Sequence, residues 1–352
     1  VKSLLSTHPR IRRAIGNQEV LLLVIALVIV GAVSVRNPGF LGVDTLFNIL
    51  TSALVPFIFG IGVTLVLIAG GIDVSFLTVG IFAAYLSCRL FPQADGAPGA
   101  LLSIAVAVGV GVLLGLVNAV VVLGARLSTL IATLATSAIF LGALFAFIGG
   151  TVISDIPHGL VGMNSVSLVR IPLANGGTTR LSALVIIGVV LAVLVALFLR
   201  RTIAGRWVFA VGGDEEAARR VGIPIRATRV LVFAIAGGIA GLAGIVQVAQ
   251  SGRADPTTFI GGELNVIAAV VLGGALITGG RGRVRGTLLG VIVIQIINSA
   301  LIPLGIPAIW QQAVIGLLLI LGVSLQTIAN RVRPIRAILA PPASSVPIGE
   351  TV

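Results

Sequence analysis

Apolar residues occupy this chain in long blocks, each closed by a short polar, charged or glycine-rich interval. A bilayer core of roughly 30 Å takes about 20 apolar residues in a helix to cross. Backbone groups in lipid must pair within the protein, so each block is predicted to be helical. The blocks lie at 20–35, 46–69, 74–90, 100–123, 127–148, 182–199, 229–250, 264–279, 286–303 and 310–328. The expected fold is all-α and polytopic, with about ten transmembrane helices. Spans 3 and 8 are short and begin beside Gly-Gly pairs, so either is open to being broken or partly buried.

Composition supports lipid as the solvent. The chain has 352 residues, 57% of them hydrophobic and 10% charged, with a mean hydropathy of +1.19. A soluble domain is nearer 45–50% apolar and about 25% charged. No long polar stretch remains to form a second domain. The expected division is a tail at 1–19, a membrane domain at 20–330 with an inner loop at 200–228, and a tail at 331–352.

Basic residues orient the spans. With the N-terminus inside, the inner segments hold 18 of the 23 Lys and Arg, and the outer segments hold Arg36, Arg89, Arg170, Arg180 and Arg253. Such an excess on one side is the positive-inside pattern. It predicts an even number of spans and two cytoplasmic termini. The net charge of +12 does not point to nucleic acid, because the basic residues are spaced between apolar runs and aromatics for base stacking are few. Lys2, Arg10, Arg12 and Arg13 precede the first block without a small-residue cleavage site, so a first membrane helix is expected rather than a removed signal. The single cysteine, Cys88, excludes an internal disulfide.

Two loops are long: an outer one at 149–181 and the basic inner one at 200–228. The Pro/Ser-rich end, 341–352, is expected to be disordered. A faint echo also runs through the chain. Gly70-Gly71-Ile72-Asp73 opens span 3 and Gly261-Gly262-Glu263 opens span 8. Gly111 to Gly115 in span 4 matches Gly286 to Gly290 in span 9. An offset of five spans reverses the direction of crossing, as in an inverted repeat of five-helix halves.

No catalytic constellation stands out. The histidines are His8 and His158, and there is no metal-binding HExxH, nucleophile elbow or phosphate-binding GxxxxGK[ST]. The outer Asp155 and His158 are the sole hint of acid–base chemistry. The inner loop is more informative. Asp214 can cap a helix whose first turn holds Glu215 and Glu216. Arg219 and Arg220 suit its last turn, Gly222 can end it left-handed and Pro224 stops it. A cytoplasmic helix of two or three turns is predicted, either a solvated loop helix or a docking knob.

Glu216-Ala217-Ala218 with Gly222 fits the EAAxxxG pattern of ABC-importer permeases. Four further ordered stretches resemble the ribose/xylose-type sugar permeases: Gly70 to Ser75, Ile131 to Thr136, Gly205 to Ile223, and Gly279 to Gly290. The chain departs from that pattern at Val74, Phe76, Ala135, Arg283 and Arg285. The resemblance covers roughly residues 20–330. It implies an importer subunit in the bacterial inner membrane, with no ATPase site and no cofactor of its own. ATP and Mg would sit on a partner ATP-binding subunit, present as two copies or a fused pair. The other implied partners are a second permease chain, identical or related, and a periplasmic or lipid-anchored sugar-binding protein.

By the resemblance, Glu216, Ala217, Ala218 and Gly222 form the ATPase-coupling helix. Asp73 is read either as an N-cap or as a substrate contact. Neutral polar residues inside spans suit a sugar, and Asn118, Thr133, Gln247, Asn265 and Asn298 join Asp73 as path candidates. Branched-chain amino-acid permeases share this plan, so an amino acid is the alternative cargo. An ion-coupled secondary transporter is the alternative mechanism.

Overall fold

A computed structural model describes residues 18–301, except 126, 174 and 175, together with 303–317 and 320. The tails at 1–17 and 321–352, Arg126 and most of the tenth predicted span lie outside the described residues.

The described residues are mostly helical. Helix α1 spans Gln18–Arg36, α2 Val43–Ile68, α3 Phe76–Leu90, α4 Gly96–Ala125 and α5 Thr129–Ala143, the last continuing as a π turn through Ile148. The 149–181 loop folds into α6, His158–Ser165, and an antiparallel hairpin of β1, Ser167–Pro172, and β2, Thr178–Ser182. Then follow α7 Val185–Arg201, α8 Ile203–Gly213, α9 Glu215–Arg220, α10 Ile225–Ser251, α11 Glu263–Leu272 and α12 Val284–Leu301. Among the described residues, six helices are long and apolar enough to cross a membrane; α7 and its bent continuation make a seventh. The short α3 and α11 are the two spans that the Gly-Gly pairs marked.

Three expectations need correction. The eighth span was expected to run through 279, but α11 stops at Leu272 and residues 273–283 form a glycine-rich connection. The third span starts at Phe76 with Ser75 as its N-cap, so Asp73 stands three residues ahead of the helix rather than capping it. The inner segment 200–228 contains α8 as well as the short helix. Thr202 starts α8 by accepting from the Gly205 amide at 2.9 Å while its hydroxyl donates to the Phe198 carbonyl at 2.7 Å. At this threonine the chain turns by 76° between α7 and α8.

Glycine decides how closely the helices approach. With lipid outside, packing between spans rests on van der Waals contact and on small residues that let backbones meet. Helix α4 lies against α10 through Gly111, Gly115, Gly237 and Gly241, and a methyl at Gly237 would sit 2.9 Å from the Gly115 Cα. Helix α12 meets α11 in the same way, through Gly286 against Gly273 and Gly290 against Ala269. The two most enclosed long spans, α2 and α10, form the centre. Helix α10 packs on α3 and α4, and α2 packs on α11 and α12. The partners of α2 are those of α10 moved by five predicted spans.

Candidate functional site

A cavity of about 330 Å³ opens between α2, α11 and α12, walled in part by the 258–262 turn. One residue, Pro56, accounts for the hydrogen bonding along part of its wall. Pro56 lies inside α2 and carries no amide hydrogen, so the Ser52 carbonyl one turn earlier loses its helical donor. Gln295 of α12 supplies a replacement, its Nε2 donating to Ser52 O at 2.9 Å. The Oε1 of Gln295 accepts from Asn298 Nδ2 at 3.0 Å. This leaves Asn298 Oδ1 buried without a hydrogen-bond partner among the described residues. Asn265 from α11 and Gln312 complete a set of four carboxamides on the wall. Phe59 and Phe259 meet edge to face there, ring centroids 5.1 Å apart. No ionisable side chain lines the cavity among the described residues. Carboxamides offer both donors and acceptors, which matches hydroxyl groups and leaves a full charge uncompensated.

The sequence nominations divide. Asn265 and Asn298 line this cavity. Gln247 faces a neighbouring void of about 10 Å³, which shares Thr258 and Phe259 with it. Asp73, Asn118 and Thr133 meet elsewhere, at the break between α2 and α3. The Ser75 amide and hydroxyl both donate to Asp73 Oδ1, at 2.8 and 2.7 Å. Asn118 Nδ2 donates to Ser75 Oγ at 2.7 Å, tying the break to α4. Thr129 and Thr133 tie it to α5: their hydroxyls accept from the Ile72 and Val74 amides at 2.8 and 3.1 Å. Irregular backbone at membrane depth needs such partners, and this network supplies them. Gln312 is not among the residues nominated from sequence; its place on the wall depends on a fold of the chain that local sequence does not encode.

The short helix of the 200–228 segment has the predicted caps, though it is shorter than predicted. Helix α9 has six residues, under two turns. Asp214 Oδ1 accepts from the Ala217 amide at 2.9 Å, and Gly222 is left-handed at φ +79°. Glu215 binds Arg219 at 2.9 Å and Arg229 of α10 at 2.5 Å. The two alanines have different environments. Ala218 is buried against Val211 and Ile225, whereas Ala217 is exposed with Glu216 and Gly222. Beside them Val221 is 76% exposed. The free face therefore combines a carboxylate, a small residue, an apolar side chain and a chain reversal.

The loop at 149–181 is clipped to the bundle. Ile153 and Ala254 exchange backbone hydrogen bonds of 2.9 Å, and Tyr85 donates to Thr151 O at 2.8 Å. His158 Nδ1 lies 2.9 Å from Asp95 Oδ1, so its partner is Asp95 and not Asp155. Among the described residues no group of three or more His, Cys, Asp or Glu could hold a metal ion.

Comparison with known proteins adds a family. Residues 45–323 match the family described as branched-chain amino acid transport system / permease component. The ribose import permease protein RbsC of Escherichia coli (strain K12) is 32% identical over 308 residues, covering 86% of this chain and 91% of that protein. RbsC of Bacillus subtilis (strain 168) is 32% identical over 300 residues, covering 85% and 89%. The autoinducer 2 import system permease protein LsrC of Enterobacter sp. (strain 638) is 32% identical over 305 residues, covering 86% and 85%. No solved structure gives a significant match.

Proposed function

The chain belongs to the branched-chain amino acid transport system / permease component family of ABC-importer permeases, and on that premise we propose that it carries a neutral monosaccharide across the bacterial inner membrane. The observation that supports a sugar is the carboxamide-lined cavity with its unpartnered Asn298 oxygen. A sugar hydroxyl can donate to that oxygen and accept from a neighbouring amide. An aromatic pair beside the amides suits the apolar face of a sugar ring. The curated relatives point the same way, being named for import of ribose and of autoinducer 2.

The mechanism in this reading is alternating access. ATP and Mg bind to partner ATPase subunits, which receive the exposed face of α9. Two permease chains enclose the path, and a binding protein delivers cargo to the outer loops. ATP-driven closure of the ATPases displaces α9, and the helices above it convert the displacement into opening on one side. The cargo can shift that equilibrium only through unequal affinity for the two states. A few amide contacts, individually modest, are consistent with weak holding and release.

A branched-chain amino acid is the competing cargo. Its carboxylate has a place to bind at the N-terminus of α11, where Gly261 and Gly262 reach the cavity. Its ammonium finds no carboxylate on the wall among the described residues, and an unpaired buried charge is costly. The test is reconstitution in lipid with the ATPase and binding-protein partners, measuring uptake of labelled ribose, xylose, galactose and leucine. ATP-dependent uptake of one of the sugars is expected. Uptake of leucine alone would reject the sugar reading, and uptake without ATPase subunits would reject the importer mechanism.

A further inference from the structure

We infer that Gly70, Gly212 and the Gly279–Gly280 turn form a backbone joint that transmits movement of α9 to the two short helices α3 and α11. The inference rests on α9 being the ATPase-coupling element. Three segments far apart in sequence meet here: the chain just after α2, the last turn of α8, and the connection after α11. The Gly280 amide donates to the Ile68 carbonyl at 2.9 Å, satisfying one of the orphan acceptors at the end of α2. Gly70, Gly279 and Gly280 are left-handed, at φ +79°, +91° and +71°.

The contacts are backbone on backbone. A methyl at Gly212 would overlap the Ile68 carbonyl oxygen and come within 2.8 Å of the Ala69 carbonyl carbon and the Gly70 nitrogen. A methyl at Gly279 would come within 2.7 Å of the Gly70 Cα, and one at Gly280 within 2.7 Å of the Gly213 Cα. Side chains can absorb a displacement by changing rotamer, but abutting main chains cannot, and packed interfaces tend to move as units. The joint lies at the base of α9, since Gly213 directly precedes its cap Asp214.

What leaves the joint leads to the cavity. The first branch runs from Gly70 through the Asp73–Ser75 turn into α3, whose Leu77 lines the cavity. The second runs back from Gly279 to α11, which carries Asn265 and Val266 of the wall. Side contacts to α4 and α5 through Asn118 and Thr129 keep the first branch taut. Three glycine pairs separated by more than 60 residues in the chain therefore serve one place, and Asp73, Asn118 and Thr133 become positioning residues there.

The test uses the complete importer in lipid and reads sugar transported per ATP hydrolysed. Gly70→Ala adds a methyl 3.3 Å from the Gly212 Cα at a left-handed position. Gly252→Ala is the matched control: φ is +70°, but nothing among the described residues lies within 4 Å of the added methyl. A merely structural effect of the strain affects both alike. Gly70→Ala is expected to lower the ratio by about fivefold or more, the lower range of coupling between sites, while Gly252→Ala retains it. Gly212→Ala is expected to be at least as uncoupled; if it fails to assemble, the Gly70/Gly252 pair decides. Equal ratios for that pair, with a working wild type, would overturn the joint alone. A wild-type complex with no ATP-driven uptake would overturn the importer reading and the joint with it.

Discussion

Six residues cannot hold a helix in water by themselves, so α9 depends on its anchors, and Asp214→Ala removes the chief one. The lost bond is the 2.9 Å contact from the Ala217 amide to Asp214 Oδ1. Loss of an N-cap costs about 1 kcal/mol, equivalent to roughly a fivefold rise in the population of the opened segment. Glu215→Gln weakens the pairs with Arg219 and Arg229. Glu215 is 36% exposed and Arg229 30%, so solvent screening limits the loss to about 0.5–1 kcal/mol. The two changes together, about 1.5–2 kcal/mol if additive, should raise opening by roughly ten- to thirtyfold. Amide hydrogen exchange of residues 215–222, followed by mass spectrometry in lipid nanodiscs, measures this directly. Arg220→Ala is the control, since its pair with Glu216 spans 3.5 Å and is 75% and 65% exposed; exchange should change little. The Glu215→Gln effect should shrink in high salt, and the Asp214→Ala effect should not. Unchanged exchange in Asp214→Ala, or an equal effect from Arg220→Ala, would refute the idea that these anchors order the helix.

Other outcomes follow from the same geometry. Asn298→Ala and Asn265→Ala should each raise the half-saturating cargo concentration by about two- to tenfold, the value of one modest hydrogen bond, with unchanged assembly by size exclusion; unaltered saturation in both would remove the cavity from the path. Gly111→Ala puts a methyl against the Gly237 carbonyl and should destabilise the chain by about 1–3 kcal/mol. Gly109→Ala, with nothing within 4 Å among the described residues, should be neutral or stabilising by up to about 1 kcal/mol; thermal unfolding in detergent separates the two. The exposed His158–Asp95 pair should contribute at most about 1 kcal/mol in a double-mutant cycle, and a larger coupling would mean the outer loop depends on it.

Much of this architecture is legible in the sequence, for reasons that are local. Long apolar blocks leave the backbone no choice but helix in lipid. Asp214, the acid-then-base order and Gly222 specify α9 within a few residues. The Gly-Gly pairs beside spans 3 and 8 mark helices that turn out to be short. The end of α11 at Leu272 is not legible in the sequence, because Gly273-Gly274 sits within an apolar run that hydropathy alone continues. Nor is helix α8, whose start involves one hydroxyl, Thr202, making two hydrogen bonds.

The site was only half legible. Polarity inside a span flags a residue without saying what it faces. Asp73, Asn118 and Thr133 have the same signature as Asn265 and Asn298, yet the first group stitches a chain break and the second lines a cavity. Gln295 owes its orientation to Pro56, 239 positions away in the chain, by way of the Ser52 carbonyl. Such pairings arise only when helices distant in sequence are brought side by side.

The most direct measurement of the central claim is photo-crosslinking from position 217, at the exposed alanine of α9, in the importer assembled in native membranes. An adduct with the ATPase subunit, strengthened or weakened on adding ATP, is the predicted result. An adduct with the binding protein instead, or none with the ATPase in a complex that transports, would contradict the account.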